Sequence, residues 1–164
     1  MVAYSRKGMI IIMRITSYSV ELKGRLSVLV KENAVNYDDV LLNNAKSIAN
    51  MMNTVFRLNQ KAEEYVYIVA LNTKCNPVGV FLLTKGTADR SLVGPREIFV
   101  RLFLCGANCF VMVHNHPSGD PTPSIEDINM TKKLKECSSL VGVTFLDHII
   151  VGDTYCSLSE RGVL

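Results

Sequence analysis

The chain has 164 residues, of which 48% are hydrophobic and 20% charged, a balance that supports one ordered core burying roughly 70% of the unfolded surface and argues against extended disorder. Eighteen Lys and Arg against 15 Asp and Glu leave a formal charge of +3. The cations are spread from Arg6 to Arg161, so a dedicated nucleic-acid face is not supported, and the one local group, Lys132, Lys133 and Lys135, reads as a solvated helix face.

Cys75, Cys105, Cys109, Cys137 and Cys156 make an odd number with no CxxC pair. Neither a disulfide framework nor a cysteine zinc site is favoured, and a reducing cytoplasm is the expected setting. The apolar run Met9 to Met13 is far below the roughly 18 residues a bilayer span needs, so no membrane association is expected. Met9 and Met13 are each candidates for the start of translation, and residues 1–12 are expected to add little to the fold.

From Ile10 to about Val30 mixed apolar and polar residues flank Lys23-Gly24, the pattern of two extended segments joined by a turn. Residues 1–40 are accordingly expected to form a strand segment packing onto a main domain of residues 41–164. The apolar N-terminal segment is also suited to pairing with another chain's sheet edge, which would make a homodimer. From Asp38 to Leu58, Leu41, Ala45, Ile48, Met52 and Val55 step by four and three, which predicts one amphipathic helix.

Glu64 to Leu71 and Val78 to Thr84 are rich in β-branched and aromatic residues and are separated by Asn72 and Asn76-Pro77, the pattern of an antiparallel strand pair. Pro95 stands where a helix often opens, and Ile98, Phe99, Leu102 and Phe103 give its apolar stripe before Gly106 ends it. A buried strand, Cys109 to Val113, leads into a proline-rich loop from Pro117 to Pro123. Ser124 is a good N-cap for a helix carrying Ile128, Leu134 and Cys137. Val143 to Val151 and Tyr155 to Leu158 read as two last strands. The whole is a single α+β domain, with a mixed, largely antiparallel sheet packed against helices.

The stretch with chemical content is HNHPSGDPTPSIED, residues 114–127. Two histidines at i and i+2 on a strand end point to the same side, so His114 and His116 can converge on one ion. Three prolines and a glycine limit the loop that follows, and a fold-back would bring Asp127, three residues past Ser124, to the same point. Two nitrogens and one oxygen suit zinc, one ion per chain, and three protein ligands leave a fourth position for water, the layout of a catalytic site.

A hydrolase built this way needs a proton carrier. Glu64, which opens a strand, is the first candidate, with Glu63 and Glu97 as rivals. Ser124 has two readings: a helix cap, or a hydroxyl that donates to the oxyanion of a tetrahedral intermediate. His148, among Leu146, Ile149 and Ile150, reads first as a core histidine with satisfied nitrogens, and otherwise as a partner of the metal ligands or an additional ligand. Ser118 and Asp120 are expected to order the loop. Cys105 and Cys109 read as small buried hydrophobes, and Tyr65 and Tyr67 as core packing rather than a base-stacking platform.

His114 to Asp127 matches the His-x-His-x7-Ser-x2-Asp signature, and the chain resembles the JAMM (MPN+) metalloproteases, specifically their RadC-like branch. EEYVYIVALNTK (63–74), GPREIF (94–99), LDHIIVGD (146–153) and SLSERG (157–162) extend the resemblance over residues 60–164, with a weaker likeness over 14–59. It implies a JAB/MPN, cytidine deaminase-like fold, zinc ligation by His114, His116 and Asp127, and a catalytic glutamate at Glu64, eight residues before Asn72. The implied activity is hydrolysis of a peptide or isopeptide bond in a protein or peptide substrate.

Asn115 departs from the Ser or Thr that the deubiquitinating branch carries between its histidines, so ubiquitin chains do not follow as substrate. The chain leaves no room for the helix-hairpin-helix region that full-length RadC proteins carry, and a DNA-repair role gains no support from the residues present. The alternative reading is a non-catalytic module that binds a protein or nucleic acid and uses its metal site only structurally.

Overall fold

The computed structural model describes residues 2–5, 8–38, 41–86 and 94–164, with side chains described from Ile12 onward. In chain order the strands are β1 (Val2–Ser5), β2 (Gly8–Ile11), β3 (Met13–Lys23), β4 (Leu26–Tyr37), β5 (Tyr65–Leu71), β6 (Pro77–Lys85), β7 (Cys109–Asn115), β8 (Thr144–Val151) and β9 (Tyr155–Ser157). The helices are α1 (Ala45–Phe56), α2 (Pro95–Leu104) and α3 (Ile125–Val141). Among the described residues, strands β1 and β2 pair only with each other, while the other seven form one sheet in the order β4-β3-β6-β5-β7-β8-β9. The β3–β6 and β7–β8 pairings are parallel and the rest antiparallel, so the sheet is mixed and largely antiparallel, as the α+β reading expected.

Helices cover both faces of this sheet. On one face Ile48, Met51 and Met52 of α1 pack with Val69, Leu71, Val111, Val113, Ile149 and Val151. On the other, Ile98, Phe99 and Leu102 of α2 and Leu134 of α3 pack with Ile68, Ala70, Phe110 and Met112. Strand periodicity explains the division, because alternate residues of β5, β7 and β8 go to opposite layers. All seven residues of β7 are buried, the mark of a central strand covered on both sides, and each large apolar side chain so buried contributes about 1.5–3 kcal/mol.

Two boundaries differ from the sequence expectation. Helix α1 begins at Ala45 rather than near Asp38: the Asn44 side chain accepts from the Ser47 amide at 2.8 Å, and the Asn44 amide donates to the Ser47 hydroxyl. This reciprocal cap fixes the start seven residues later, and Leu41 lies ahead of it, exposed. Residues 39–40 of the expected helix lie outside the described residues. At the other end Leu58 belongs to a separate 3-10 turn, Leu58–Gln60. The hairpin β3–β4 turns after Lys23, as expected, but β4 runs on to Tyr37.

The loop after β7 is tied to the β8–β9 hairpin. The His116 amide donates to the Val151 carbonyl at 2.8 Å and the Asp153 amide to the Gly119 carbonyl at 2.7 Å. Such close approach requires glycine on the hairpin side, since a Cβ on Gly152 would overlap the Gly119 carbonyl. Gly152→Ala is therefore expected to lower stability by about 2–3 kcal/mol, the cost of overpacking against backbone. Urea unfolding of the variant beside the wild type measures it.

Candidate metal centre

The β7 alternation that sends Phe110 and Met112 toward α2 and α3 continues to His114, and His116 follows on the same side. The pairing Val66↔His114, carried two residues further, sets Glu64 of the neighbouring chain end opposite His116. Helix α3 supplies the last group. Ser124 caps it, its hydroxyl accepting from the Asp127 amide at 3.1 Å, while Asp127 Oδ2 accepts from the Ser124 amide at 2.8 Å and its hydroxyl at 2.7 Å. This capping box turns the Asp127 carboxylate back over the strand end.

The three side chains meet. His114 Nε2 is 3.1 Å from His116 Nε2 and 3.3 Å from Asp127 Oδ1, and His116 Nε2 is 3.5 Å from Asp127 Oδ2. Glu64 Oε1 lies 3.6 Å from His114 Nε2. Both His114, at 2% exposure, and Asp127, at 4%, are buried. Two carboxylates and two imidazoles gathered this closely away from water call for positive charge among them. Burial alone would raise the Asp127 carboxyl, but hydrogen bonding from His116, the charge on His114, and the Ser124 hydroxyl and amide outweigh it and hold Asp127 well below the usual carboxylate range. In return the Asp127 carboxylate raises His116 above its ordinary value against the lowering effect of burial.

The donor set fits a small divalent cation. Tetrahedral bonds of roughly 2.0–2.1 Å would separate donor atoms by about 3.3 Å; the two imidazole nitrogens stand 3.1 Å apart, and Asp127 approaches them through different oxygens, Oδ1 to His114 at 3.3 Å and Oδ2 to His116 at 3.5 Å. The His116 ring is turned for this purpose by the Asp120 carbonyl, 2.8 Å from Nδ1. A carbonyl can only accept, so Nδ1 carries a proton, and in the neutral ring the Nε2 lone pair faces the cluster. Two overlapping sets, Glu64–His114–His116 and His114–Asp127–His148, have ligand atoms within 4.8 Å of one another. His148, however, meets Nδ1 of His114 at 2.9 Å, the nitrogen that points away from His116. One ion therefore cannot take His114 Nε2 and His148 together.

The other sequence candidates fall as follows. Glu63 is on the surface, 3.5 Å from Lys85 Nζ, and Glu97 is part-exposed beside Arg96. The Ser124 hydroxyl donates to Asp127, so donation to an oxyanion would require it to leave that bond. Asp120 accepts from the Thr122 amide and hydroxyl, and Ser118 Oγ accepts from the Asp120 amide, so both order the loop. Cys109 is buried and Cys105 partly so, and burial raises both thiols. Tyr67 packs on Phe56 with ring centroids 5.2 Å apart. Lys132, Lys133 and Lys135 are exposed.

Sequence reasoning missed two residues. Asn115, on the opposite side of β7 from the histidines, accepts from the Tyr65 amide at 2.9 Å and donates to the carbonyls of Glu63 at 3.1 Å and Lys61 at 3.3 Å. It thus grips the backbone on both sides of Glu64. The available signal was a polar residue in a strand otherwise apolar up to the histidines. Thr131 is buried and bonded to His148 at 2.7 Å; its signal was the i+4 spacing from Asp127. Nearby, buried Asp147 accepts from the Ser157 hydroxyl and from the amides of Ser159 and His148, which joins the LDHII and SLSER segments. A cavity of about 380 Å³ opens beside the cluster, with Val66, Ile98, Met112 and Met130 among its walls and Thr84, Asn129 and Lys133 as polar members.

Comparison with known proteins gives a consistent family. The model of the RadC-like JAB domain matches residues 42–163. A UPF0758 protein of Clostridium acetobutylicum is 42% identical over 130 residues, covering 79% of this chain and 56% of its own length. UPF0758 protein YsxA of Bacillus subtilis is 37% identical, covering 89% of this chain and 61% of that protein. A UPF0758 protein of Thermotoga maritima is 36% identical over 154 residues, 89% of this chain and 69% of its own length. The chain thus spans little more than half the length of the first of these relatives. Among the described residues no helix is long and apolar enough to cross a membrane.

The Asn115 contacts yield a prediction independent of any metal. Asn115→Ala removes three hydrogen bonds and leaves the Tyr65 amide without this partner, at an expected cost of about 2–3 kcal/mol. Hydrogen exchange should show the Tyr65 amide losing protection ahead of the amides in the middle of β5.

Proposed function

We propose that this chain, which belongs to the RadC-like JAB domain family, is a zinc-dependent hydrolase of peptide or isopeptide bonds. The observation that carries this reading is the convergence of His114, His116 and Asp127 within 3.1–3.5 Å of one another, with a second carboxylate alongside. His114 and His116 through Nε2, together with the Asp127 carboxylate, would hold the ion. When bound, zinc supplies a Lewis acid that polarises a carbonyl and lowers the pKa of water toward neutrality.

The chain's own groups account for the rest. Glu64 is not a member of the donor triangle, yet its Oε1 sits 3.6 Å from His114 Nε2, within reach of a water at the vacant side. It takes a proton from that water and returns it to the leaving amine nitrogen, so that one carboxylate serves both halves of the hydrolysis. Asn115 holds the backbone from which Glu64 projects. Ser124 keeps Asp127 ionised and aimed at the histidines. The adjoining cavity, apolar at Val66, Met112 and Met130, receives a side chain of the substrate and excludes water from the reacting bond. A protein or peptide is the substrate class this favours over nucleic acid, since Lys133 is the one cation among the cavity's described lining.

Two substitutions separate binding from turnover. His116→Ala is expected to abolish stoichiometric zinc by elemental mass spectrometry, and with it the rise in melting temperature that zinc gives the wild type. Glu64→Gln is expected to retain zinc while losing about 100- to 10,000-fold in cleavage of a peptide library. Full zinc in the His116 variant would sink the ligand assignment. Chelator-insensitive or absent cleavage by the zinc-loaded wild type would favour the non-catalytic reading.

A further inference from the structure

Behind His114, on the side away from the cluster, lies a row of buried polar groups that the proposed hydrolysis does not use. His114 Nδ1 is 2.9 Å from His148 Nε2, His148 Nδ1 is 2.7 Å from Thr131 Oγ1, and the Thr131 hydroxyl donates at 2.7 Å to the Asp127 carbonyl. Thr131 and His148 are fully buried. Three elements meet here, because His114 is on β7, His148 on β8 and Thr131 on α3.

The direction of each bond follows from counting protons. A hydroxyl has one proton, and the Asp127 carbonyl, which can only accept, takes it. Thr131 Oγ1 must then accept in its other contact, so His148 carries its proton on Nδ1. A neutral His148 with Nδ1–H has an unprotonated Nε2. That atom accepts from His114 Nδ1–H, and in a neutral His114 the proton on Nδ1 leaves Nε2 with a lone pair directed at His116 and Asp127. His116 reaches the same state by a shorter route, through the Asp120 carbonyl.

We infer that His148 and Thr131 are positioning residues, forming a one-way hydrogen-bond chain that ends on the Asp127 carbonyl and presents His114 to a metal as an Nε2 donor. The inference rests on the metal-binding reading above, and it adds two residues that are not ligands in that reading. Asp127 takes part at both ends of the arrangement. Its carboxylate faces the cluster, while its backbone carbonyl terminates the chain that orients the opposing imidazole. A shift of the α3 N-terminus would therefore disturb a proposed carboxylate ligand and a proposed imidazole ligand together.

The test reads zinc affinity and proton position rather than turnover. In chelator competition, Thr131→Val, which keeps the side-chain shape but removes the acceptor, is expected to bind zinc about 10- to 100-fold more weakly than the wild type. His148→Leu is expected to do the same, and Thr131→Ser, which restores the hydroxyl, to stay within about threefold, a rescue in line with the chain's dependence on that group. Long-range 1H–15N spectra of the zinc-loaded wild type should place the His148 proton on Nδ1. Unchanged zinc affinity in a folded Thr131→Val, or a His148 protonated on Nε2 in the zinc-loaded protein, overturns the inference while leaving the proposed function standing. Should the leucine variant not fold, the Thr131 pair and the spectra decide. A wild type that takes up no zinc overturns both.

Discussion

The first turn of α3 ties the structure's architecture to its chemistry. The Ser124–Asp127 capping box satisfies amides that any helix N-terminus leaves without intrahelical partners, a requirement of the fold alone. The same reciprocal bonds fix the carboxylate over the end of β7, where both histidines arrive by strand alternation. If Asp127 capped its helix with a different rotamer, the histidines would keep Glu64 beside them but lose the carboxylate that α3 supplies. Burial of the carboxylate is tolerated because it is surrounded by donors, and the resulting depression of its pKa keeps it anionic at neutral pH.

Strand register supplies the remaining placement. Because β7 is central and buried on both faces, its polar end must be satisfied on both faces as well. The histidines answer on the α3 side and Asn115 answers on the other, by bonding to the backbone around Glu64. The residue between the two histidines is therefore more than a spacer. It joins β7 to the chain segment that carries the second carboxylate, across 50 residues of sequence.

How much of this could be read in advance depended on how strongly chemistry constrains residue type. The i, i+2 histidines and the serine three residues before an aspartate are uncommon enough, and their geometric consequences direct enough, that their meeting was legible before any coordinates. The mixed sheet packed against helices followed from periodicity. The start of α1 did not, because Leu41 continues the apolar spacing into residues that the Asn44 cap excludes from the helix. Thr131 and Asn115 were invisible for a different reason: threonine in a helix and asparagine at a strand end are ordinary, and only tertiary contact shows which backbone groups they serve. His148 was legible as a buried histidine with satisfied nitrogens, but not the identity of the partner that satisfies them.

The loop from His116 to Asp120 is laced to the β8–β9 hairpin through the Val151 carbonyl, the Asp153 amide and the tight Gly119–Gly152 contact. Its ordering entropy is thus met when the chain folds and not when an ion arrives. On the proposed metal-binding reading, a preset aperture of this kind would discriminate by ionic radius: side chains that approach within 3.1–3.5 Å of one another suit an ion with short bonds and few ligands. Calcium, which takes six to eight oxygens at roughly 2.3–2.6 Å, would have to prise the clasp open to enter.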